Sequence, residues 1–546
     1  MDPDRQSSLG QEKRPLTERR HLLASGAAAA PTLKGEPRPW WESRPFVAAM
    51  ILLAFVPLIY PAVPPLVDLL GHMGRYRVEL DLAHSPDLQR YYGFQWHLIG
   101  NLGVDLLIVP LAKLVGLEMA VKLIAMCIPP LTVAGFLWVA REVHNRLPPT
   151  AALALPFAFS HPFLFGFLNY TLSMALAFLA FARWLRLGRL GKTRLRAMLF
   201  VPISFIIFTC HTFGWGTLGL LCFSAEAVRQ HDQGISWWKA ALRAALHAMV
   251  LAGPVLLMLA WRSDIGGAPT HGWFNWGLKL QWLVWALRDR WQLVDTAILI
   301  LIMLSGLLAM ITPWFALSRN LAFSALVLAI AFILLPWTVF GSAYADMRLA
   351  PYVFAVVLLG IRAKSPPPPG LVTMLAITST ALFAAKIAVT TASLAIASNH
   401  QDRQLGALDH IPRGAPMVYL VGQPCTDFWP LFRQSHLGAM AIVRRHAFSN
   451  DQWVIEGANL LTVHYAAAGF FRGDASQMVS DNQCKRRIAP PIDLVMRIIP
   501  RRAFDYVWLV DVPRFNPASL HGYRKIWNSD GSSLYAKSPP AAKELP

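Results

Sequence analysis

The sequence predicts a polytopic α-helical membrane protein of about 11 transmembrane helices, followed by a small C-terminal extracytoplasmic α/β domain. Three observations carry this prediction. Of 546 residues, 55% are hydrophobic and only 15% are charged, more apolar surface than a soluble core can absorb. Apolar runs recur at 46–64, 118–140, 151–167, 170–187, 197–211, 212–228, 241–261, 294–311, 321–340, 349–361 and 371–395. Several are short or broken by proline, which leaves their ends soft. Lys and Arg, finally, gather in alternate connections between these runs.

Those cations set the orientation. Arg141 and Arg146, the stretch RWLRLGRLGKTRLR (183–196), Arg229, Lys239, Arg243, Arg319, Arg362 and Lys364 all fall on one side if the N-terminus is cytoplasmic and the chain crosses 11 times. The C-terminus is then outside. The excess of 50 Lys and Arg over 31 Asp and Glu is thus a topology signal and not a nucleic-acid footprint, because no basic block interleaves with aromatics in a soluble segment. The 20 Trp suit interfacial belts. Residues 1–40 read as a disordered cytoplasmic tail, 41–397 as the transmembrane domain with interfacial helices in 65–117, and 398–546 as the extracytoplasmic domain. In the last of these, PMVYLVG, FDYVWLVDV, YRKIW and SSLYAK read as strands, and Thr426–Arg445 and Ala458–Ala468 as helices. Cys425 and Cys484 lie in this oxidising compartment and are expected to form a disulfide.

Three outward connections carry polar groups beyond what a linker needs: 65–118, 262–292 and GSAYADMR (341–348). In the first, Asp68, His72, Arg75 and Glu79 share one face of a helix, with Arg75 and Glu79 as i,i+4 partners on the bland reading. Leu66, Leu69, Leu70, Met73 and Tyr76 would rest that helix on lipid headgroups. Gly71 and Gly74 lower its propensity, and close approach of a ligand is one reason to keep them. A second interfacial helix is expected from Ser85 and Pro86, its face carrying Tyr91, Tyr92, Trp96 and His97. Asp81, His84, His211 and His271 are further pocket candidates, with Asp264 in the same loop as His271. Asp346 and Arg348 can satisfy each other, or Arg348 can grip a lipid phosphate while Tyr344 and Asp346 line the pocket. A divalent cation on Asp68 and His72 is the metal alternative. No P-loop, GxGxxG, HExxH or CxxC pair is present.

Taken together, the first outer loop with Asp68, the YYGFQW segment with Asn101, FLNYTLSMALAFLAFARWLR, Cys210-His211-Thr212 and GSAYADMR resemble the GT-C superfamily of membrane glycosyltransferases. The resemblance is architectural and covers most of the membrane part. It implies inverting, metal-independent transfer of a sugar from a polyprenyl-phosphate donor to a glycan or glycolipid acceptor at the outer face of a bacterial-type inner membrane, within the cell envelope. No cofactor is then required. Asp68 would be the catalytic base, and Arg348 with Arg75 would hold the donor phosphate. Many members pair two acidic residues in this loop, whereas here Leu69 follows Asp68, which leaves Asp81 and Glu79 as reserve bases. A transporter or flippase of a lipid-linked sugar is the alternative, but coupling residues would then belong inside the spans, which hold few ionisable groups. A receptor or scaffold built on the C-terminal domain is the third reading.

Overall fold

A computed structural model describes residues 38–261, 269–453, 460–485 and 489–538. The expected tail up to residue 37 and Asp264 lie outside the described residues. Helices dominate up to residue 405. Five are long and apolar enough to cross a bilayer, or six if the pair Trp237–Leu251 and Gly253–Leu259, bent by 67°, forms one span.

Length and hydropathy thus qualify five or six helices among the described residues and leave the expected 11 crossings unestablished. Every predicted run is helical, but several are too short or too polar to qualify. The first is α1 (Arg44–Leu53) and then breaks before Val56–Ile59. The run at 151–167 opens as a 3-10 helix around Pro156. Between these lies α2 (Leu69–Asp81), the helix predicted from the Asp68 periodicity. A helix that hydropathy missed, α3 (Gly103–Val115), follows within the first long connection and contains Pro110 and the buried Asp105.

The bundle proper is built from α4 (Leu117–His144), α5 (Leu168–Arg189), α6 (Thr193–Cys210) and α7 (Thr212–Asp232). On α4, Ala120, Val121, Ile124, Ala125 and Ile128 recur at helical spacing and are buried. Gly135 lets α5 come close, since a Cβ there would lie 3.0 Å from Phe178 Cβ. The chain continues through α8 (Trp237–Ala248), α9 (Gly253–Trp261), α10 (Trp276–Val284), α11 (Gln292–Ile311), α12 (Arg319–Leu334), α13 (Ala345–Leu359) and α14 (Pro369–Leu405). α14 runs past the expected boundary at 398, so the last predicted apolar run and the start of the predicted domain share one helix.

Beyond α14 the chain forms a five-stranded sheet. In its centre β4 (Met417–Gln423) pairs in parallel with β7 (Tyr506–Val510), Tyr419 opposite Trp508; β6 (Met478–Ser480) adds to β4, and the hairpin of β8 (Tyr523–Ser529) and β9 (Ser532–Lys537) adds antiparallel to β7. Alternation splits β4 between two cores. Met417, Tyr419 and Val421 pack with the helical bundle, whereas Val418 and Leu420 face a second core. That second core is completed by residues more than 300 positions earlier: Val78, Leu88, Tyr91 and Tyr92.

The predicted second interfacial helix is corrected here. Ser85 does cap, accepting from Leu88 N at 3.4 Å, but the helix is only Pro86–Gln89. The chain then becomes β1 (Tyr92–Phe94), paired antiparallel with β5 (Leu461–Val463). Aromatic residues favour a strand wherever a partner strand exists, and that partner is remote in sequence. Of the helix expected at Ala458–Ala468, residues 458–459 lie outside the described residues, Leu461–Val463 form β5 and a 3-10 helix begins only at Ala466; of the helix expected at Thr426–Arg445 only α15 (Ala439–Arg445) forms. Nor does α2 rest on headgroups, since Leu66, Leu69, Leu70, Met73 and Tyr76 are all buried.

Candidate active site

Asp68 immediately precedes α2, and the backbone there is fixed on both sides. Its N–H donates to the Phe165 carbonyl at 2.8 Å, and its carbonyl accepts from His72 N at 3.1 Å. Gly166, with φ of +100°, permits this approach, because a Cβ there would lie 2.9 Å from Asp68 N. The two glycines of α2 admit the C-terminal part of the chain. At Gly71 a Cβ would stand 2.6 Å from the Trp453 ring and 3.0 Å from His436 Nδ1; at Gly74, 2.7 Å from Gln452 Nε2 and 3.2 Å from Ala439 Cβ on α15. Arg433 extends the same junction, donating to the Pro65 carbonyl and, at 2.5 Å, to the buried Asp289.

The Asp68 carboxylate therefore sits in a pocket closed from above by residues the sequence reading did not select. His436 Nε2 lies 3.8 Å from Asp68 Oδ1, and the Asp68 side chain is 14% exposed. Burial, with Asp474 nearby, pushes the Asp68 carboxyl up to about 7, while His436 and Arg348 pull the other way. His436 Nδ1 donates to the Asp451 carbonyl at 2.8 Å, which aims Nε2 at Asp68. The Asp451 carboxylate, pushed up to about 6 by burial, accepts from Ala439 N and Ser449 Oγ and so anchors the start of α15. Trp453 packs between two imidazoles, 4.4 Å from the His436 ring and 4.8 Å from His72. Asp474, exposed, is held by Gln477 Nε2 at 2.7 Å.

Arg348 and Tyr344 approach from α13. Tyr344, at φ +61°, turns the chain into the helix and packs on Phe165, Trp282 and Trp337; burial first, then Asp68 and Asp474, raise its phenol. Arg348 is buried yet meets no carboxylate at bonding distance among the described residues. Nη2 donates to Ser342 Oγ at 3.1 Å, the guanidinium lies 4.7 Å over the Phe167 ring, and Nε and Nη1 have no partner. The expected Asp346–Arg348 pair does not form. Asp346 is instead fully buried against Lys279 at 3.2 Å and Trp282 Nε1 at 3.1 Å, which also removes it from the pocket.

The remaining candidates are distributed differently from the prediction. Arg75 is buried on Asp105 at 2.7 Å, and Asp105 also accepts from Asn169, so its charge is committed inside the fold and not offered to a phosphate. The ion pair on α2 is Arg77–Asp81 at 2.6 Å, not Arg75–Glu79; Asp81 also lies 3.4 Å from His446. Glu79 points into the same buried network, where burial and Asp105 push its carboxyl up to about 8. Tyr92 is core, its hydroxyl bonded to the Ser449 backbone; His84 is exposed, and the exposed His271 packs on Trp337 at 5.9 Å. His211 starts α7, its Nδ1 accepting from Phe213 N at 3.1 Å, with its ring 5.6 Å from Tyr170. The His72 ring packs on Trp453 at 4.8 Å, and among the described residues no three His, Cys, Asp or Glu are grouped to hold a metal. Cys425 and Cys484 are joined, with Cα atoms 5.5 Å apart. The missed residues His436, Asp451, Trp453 and Asp474 lie in short loops without periodicity; the polar run SNDQW was their one local signal.

Fold and site together define a multi-pass helical membrane protein with a buried carboxylate, an imidazole and a guanidinium that bonds no carboxylate among the described residues, gathered where the helices meet a C-terminal sheet. No protein-family model and no curated protein matches the chain. Among solved structures it is similar to ArnT from Cupriavidus metallidurans in the apo state, with a TM-score of 0.49 and 11% identity over 91% of this chain and 98% of that one. It is likewise similar to ArnT from Cupriavidus metallidurans bound to undecaprenyl phosphate, with a TM-score of 0.48 and 11% identity over 92% and 98%. At this identity and score the likeness is one of chain course, and no residue's role is taken from it.

Proposed function

We propose that the protein transfers a sugar from a polyprenyl-phosphate carrier to an acceptor hydroxyl at the outer face of a bacterial-type inner membrane, with inversion and without a cofactor. The observation that carries this reading is the juxtaposition of Asp68, a buried carboxyl shifted to about 7, with Arg348, two of whose guanidinium nitrogens have no hydrogen-bond partner among the described residues. A general base works best near the ambient pH, and a cation with free donors suits a phosphate that gains charge as it leaves.

In this reading Asp68 removes the acceptor's proton as its oxygen bonds to the anomeric carbon. The carbon–oxygen bond to phosphate breaks, its electron pair goes to the phosphate, and Arg348 stabilises the resulting polyprenyl phosphate with forked, charge-assisted bonds. His436 Nε2 is positioned to share or pass on the proton. Under the same reading the sheet region is extracytoplasmic, consistent with Cys425–Cys484.

The test is reconstitution of wild type and Asp68→Asn with labelled polyprenyl-phosphate sugars and a panel of glycan and glycolipid acceptors. Transfer by wild type and not by the variant supports the reading. Equal transfer by both removes Asp68 as base, and energised movement of intact lipid-linked sugar without product favours the flippase.

A further inference from the structure

The α6 helix connects two unlike places. Its last residue, Cys210, adjoins His211 beside Tyr170, near the candidate active site, whereas its first turn borders a separate cavity. At 18 residues the helix puts the two about 27 Å apart, close to the thickness of a hydrocarbon core. The cavity has a volume of about 220 Å3 and is lined by Trp184, Thr193, Arg196, Ala197, Leu246 and His247 among others.

Its polar wall has a cation to spare. Among the described residues Glu226 is the carboxylate that Arg196 and His247 reach, and it is already met by Arg229 through two bonds, at 2.5 and 3.1 Å, and by Gln230 at 2.8 Å. Arg196, buried and stacked 3.9 Å over Trp184, reaches the same carboxylate at a longer 3.2 Å and contacts His247 Nδ1 at 3.3 Å. Two guanidiniums and an imidazole thus surround one carboxylate, and the neighbouring stretch 183–196 is rich in further Arg and Lys, of which Arg189 pairs with Glu142 at 2.5 Å. An anion is the complement.

The apolar wall says which kind of anion. Along α8 and just beyond it, Trp238, Leu242, Leu246 and Met249 recur at spacings of four, four and three, and all are exposed, at 67%, 55%, 64% and 61%. They form one stripe beside Lys239 and Arg243, the pattern of a helix lying in a membrane interface. The 67° bend into α9 then turns the chain toward the apolar layer. A headgroup phosphate at Arg196 and His247 would leave its acyl chains along Leu246 and Met249.

We propose that this cavity is a binding site for the phosphate of an anionic phospholipid, on the opposite side of the bilayer from Asp68. The test uses the full-length protein in detergent, titrated with phosphatidylglycerol, phosphatidylcholine or inorganic phosphate and read by native mass spectrometry and thermal unfolding. Ala197→Trp fills the cavity without altering a charge; Arg196→Gln removes the cation while Glu226 keeps Arg229 and Gln230. The expected result is that each variant, shown folded by circular dichroism, loses at least tenfold in phosphatidylglycerol binding at the tightest site and is unchanged toward phosphatidylcholine. Wild-type phosphatidylglycerol binding in either folded variant overturns the proposal. So does stabilisation of wild type by inorganic phosphate equal to that by phosphatidylglycerol and abolished by Ala197→Trp, which assigns the cavity to a soluble phosphate.

Discussion

His436 Nε2 stands 3.8 Å from Asp68 Oδ1, joining two residues 368 positions apart, and the hydrogen bond from His436 Nδ1 to the Asp451 carbonyl decides which face of the imidazole Asp68 meets. The pair makes the pH dependence of transfer specific. If the Asp68 carboxylate is the working form, kcat/KM falls about tenfold per pH unit below about 7 and levels off above it. His436 draws the Asp68 pKa down, so His436→Gln moves the inflection to higher pH. A pH profile of sugar transfer for both proteins measures this, and an unmoved inflection contradicts it.

Asp68→Asn separates activity from stability. Asp68's pKa is raised on folding, from 3.8 to about 7, so its ionised form is penalised in the native state. The penalty begins above 3.8 and is complete above about 7. Asparagine removes it: the variant is expected to lose about 10²- to 10⁴-fold in kcat, yet to unfold at a higher temperature than wild type at pH 8, with the gain vanishing toward pH 4. Thermal unfolding at both pH values checks the sign.

Arg348 meets no carboxylate at bonding distance among the described residues, so its removal leaves no orphaned anion in the core. Arg348→Ala is expected to lower kcat by about 10²- to 10³-fold, with the fold kept. Arg348→Lys should restore only part of this, because an ammonium cannot reproduce the fork. Steady-state kinetics with a polyprenyl-phosphate sugar, beside a melting curve, provides the measurement.

Gly71→Ala tests the fit between α2 and the C-terminal part. The added methyl meets Trp453 at 2.6 Å and His436 at 3.0 Å, so the variant should be destabilised by about 1–3 kcal/mol and lose transfer as His436 is displaced. Gly219→Ala on α7 meets nothing within 4 Å and should be neutral or slightly stabilising. Denaturant midpoints of the two variants give the comparison.

Reduction of Cys425–Cys484, which closes a separation of 59 residues, should cost about 4 kcal/mol on the chain-entropy account. Cys425→Ser with Cys484→Ser should show the same loss without reductant, read as a lower unfolding temperature of the sheet region.

The sequence was most informative where a pattern is local. Helical periodicity placed α2 with Asp68 at its start, strand alternation placed β4, β7 and the β8–β9 hairpin, and hydropathy placed helix on each apolar run. It failed where the deciding partner is distant. Tyr91 and Tyr92 read as a helix face because nothing nearby reveals β5, and Arg75 read as a phosphate ligand because its partner Asp105 lies 30 residues on, in a 13-residue helix too short to read as a span. At a spacing of two Asp346 and Arg348 could either satisfy each other or separate, and their positions on α13 send one to Lys279 and the other toward Asp68. Not every apolar run is a long helix, since Pro and Gly breaks and buried charges divide the runs into helices of unequal reach.

The antiparallel pairing of Tyr92–Phe94 with Leu461–Val463 bears on the order of events during synthesis. By the time β5 leaves the ribosome, β1 has been waiting for more than 360 residues, with Tyr92 and Val78 lacking the core that will bury them. Asp68 likewise acquires His436 and Trp453 only at that stage. Under the proposed function, a nascent chain that ends before His436 lacks the assembled surroundings of Asp68, and completion of the polypeptide would be what licenses transfer.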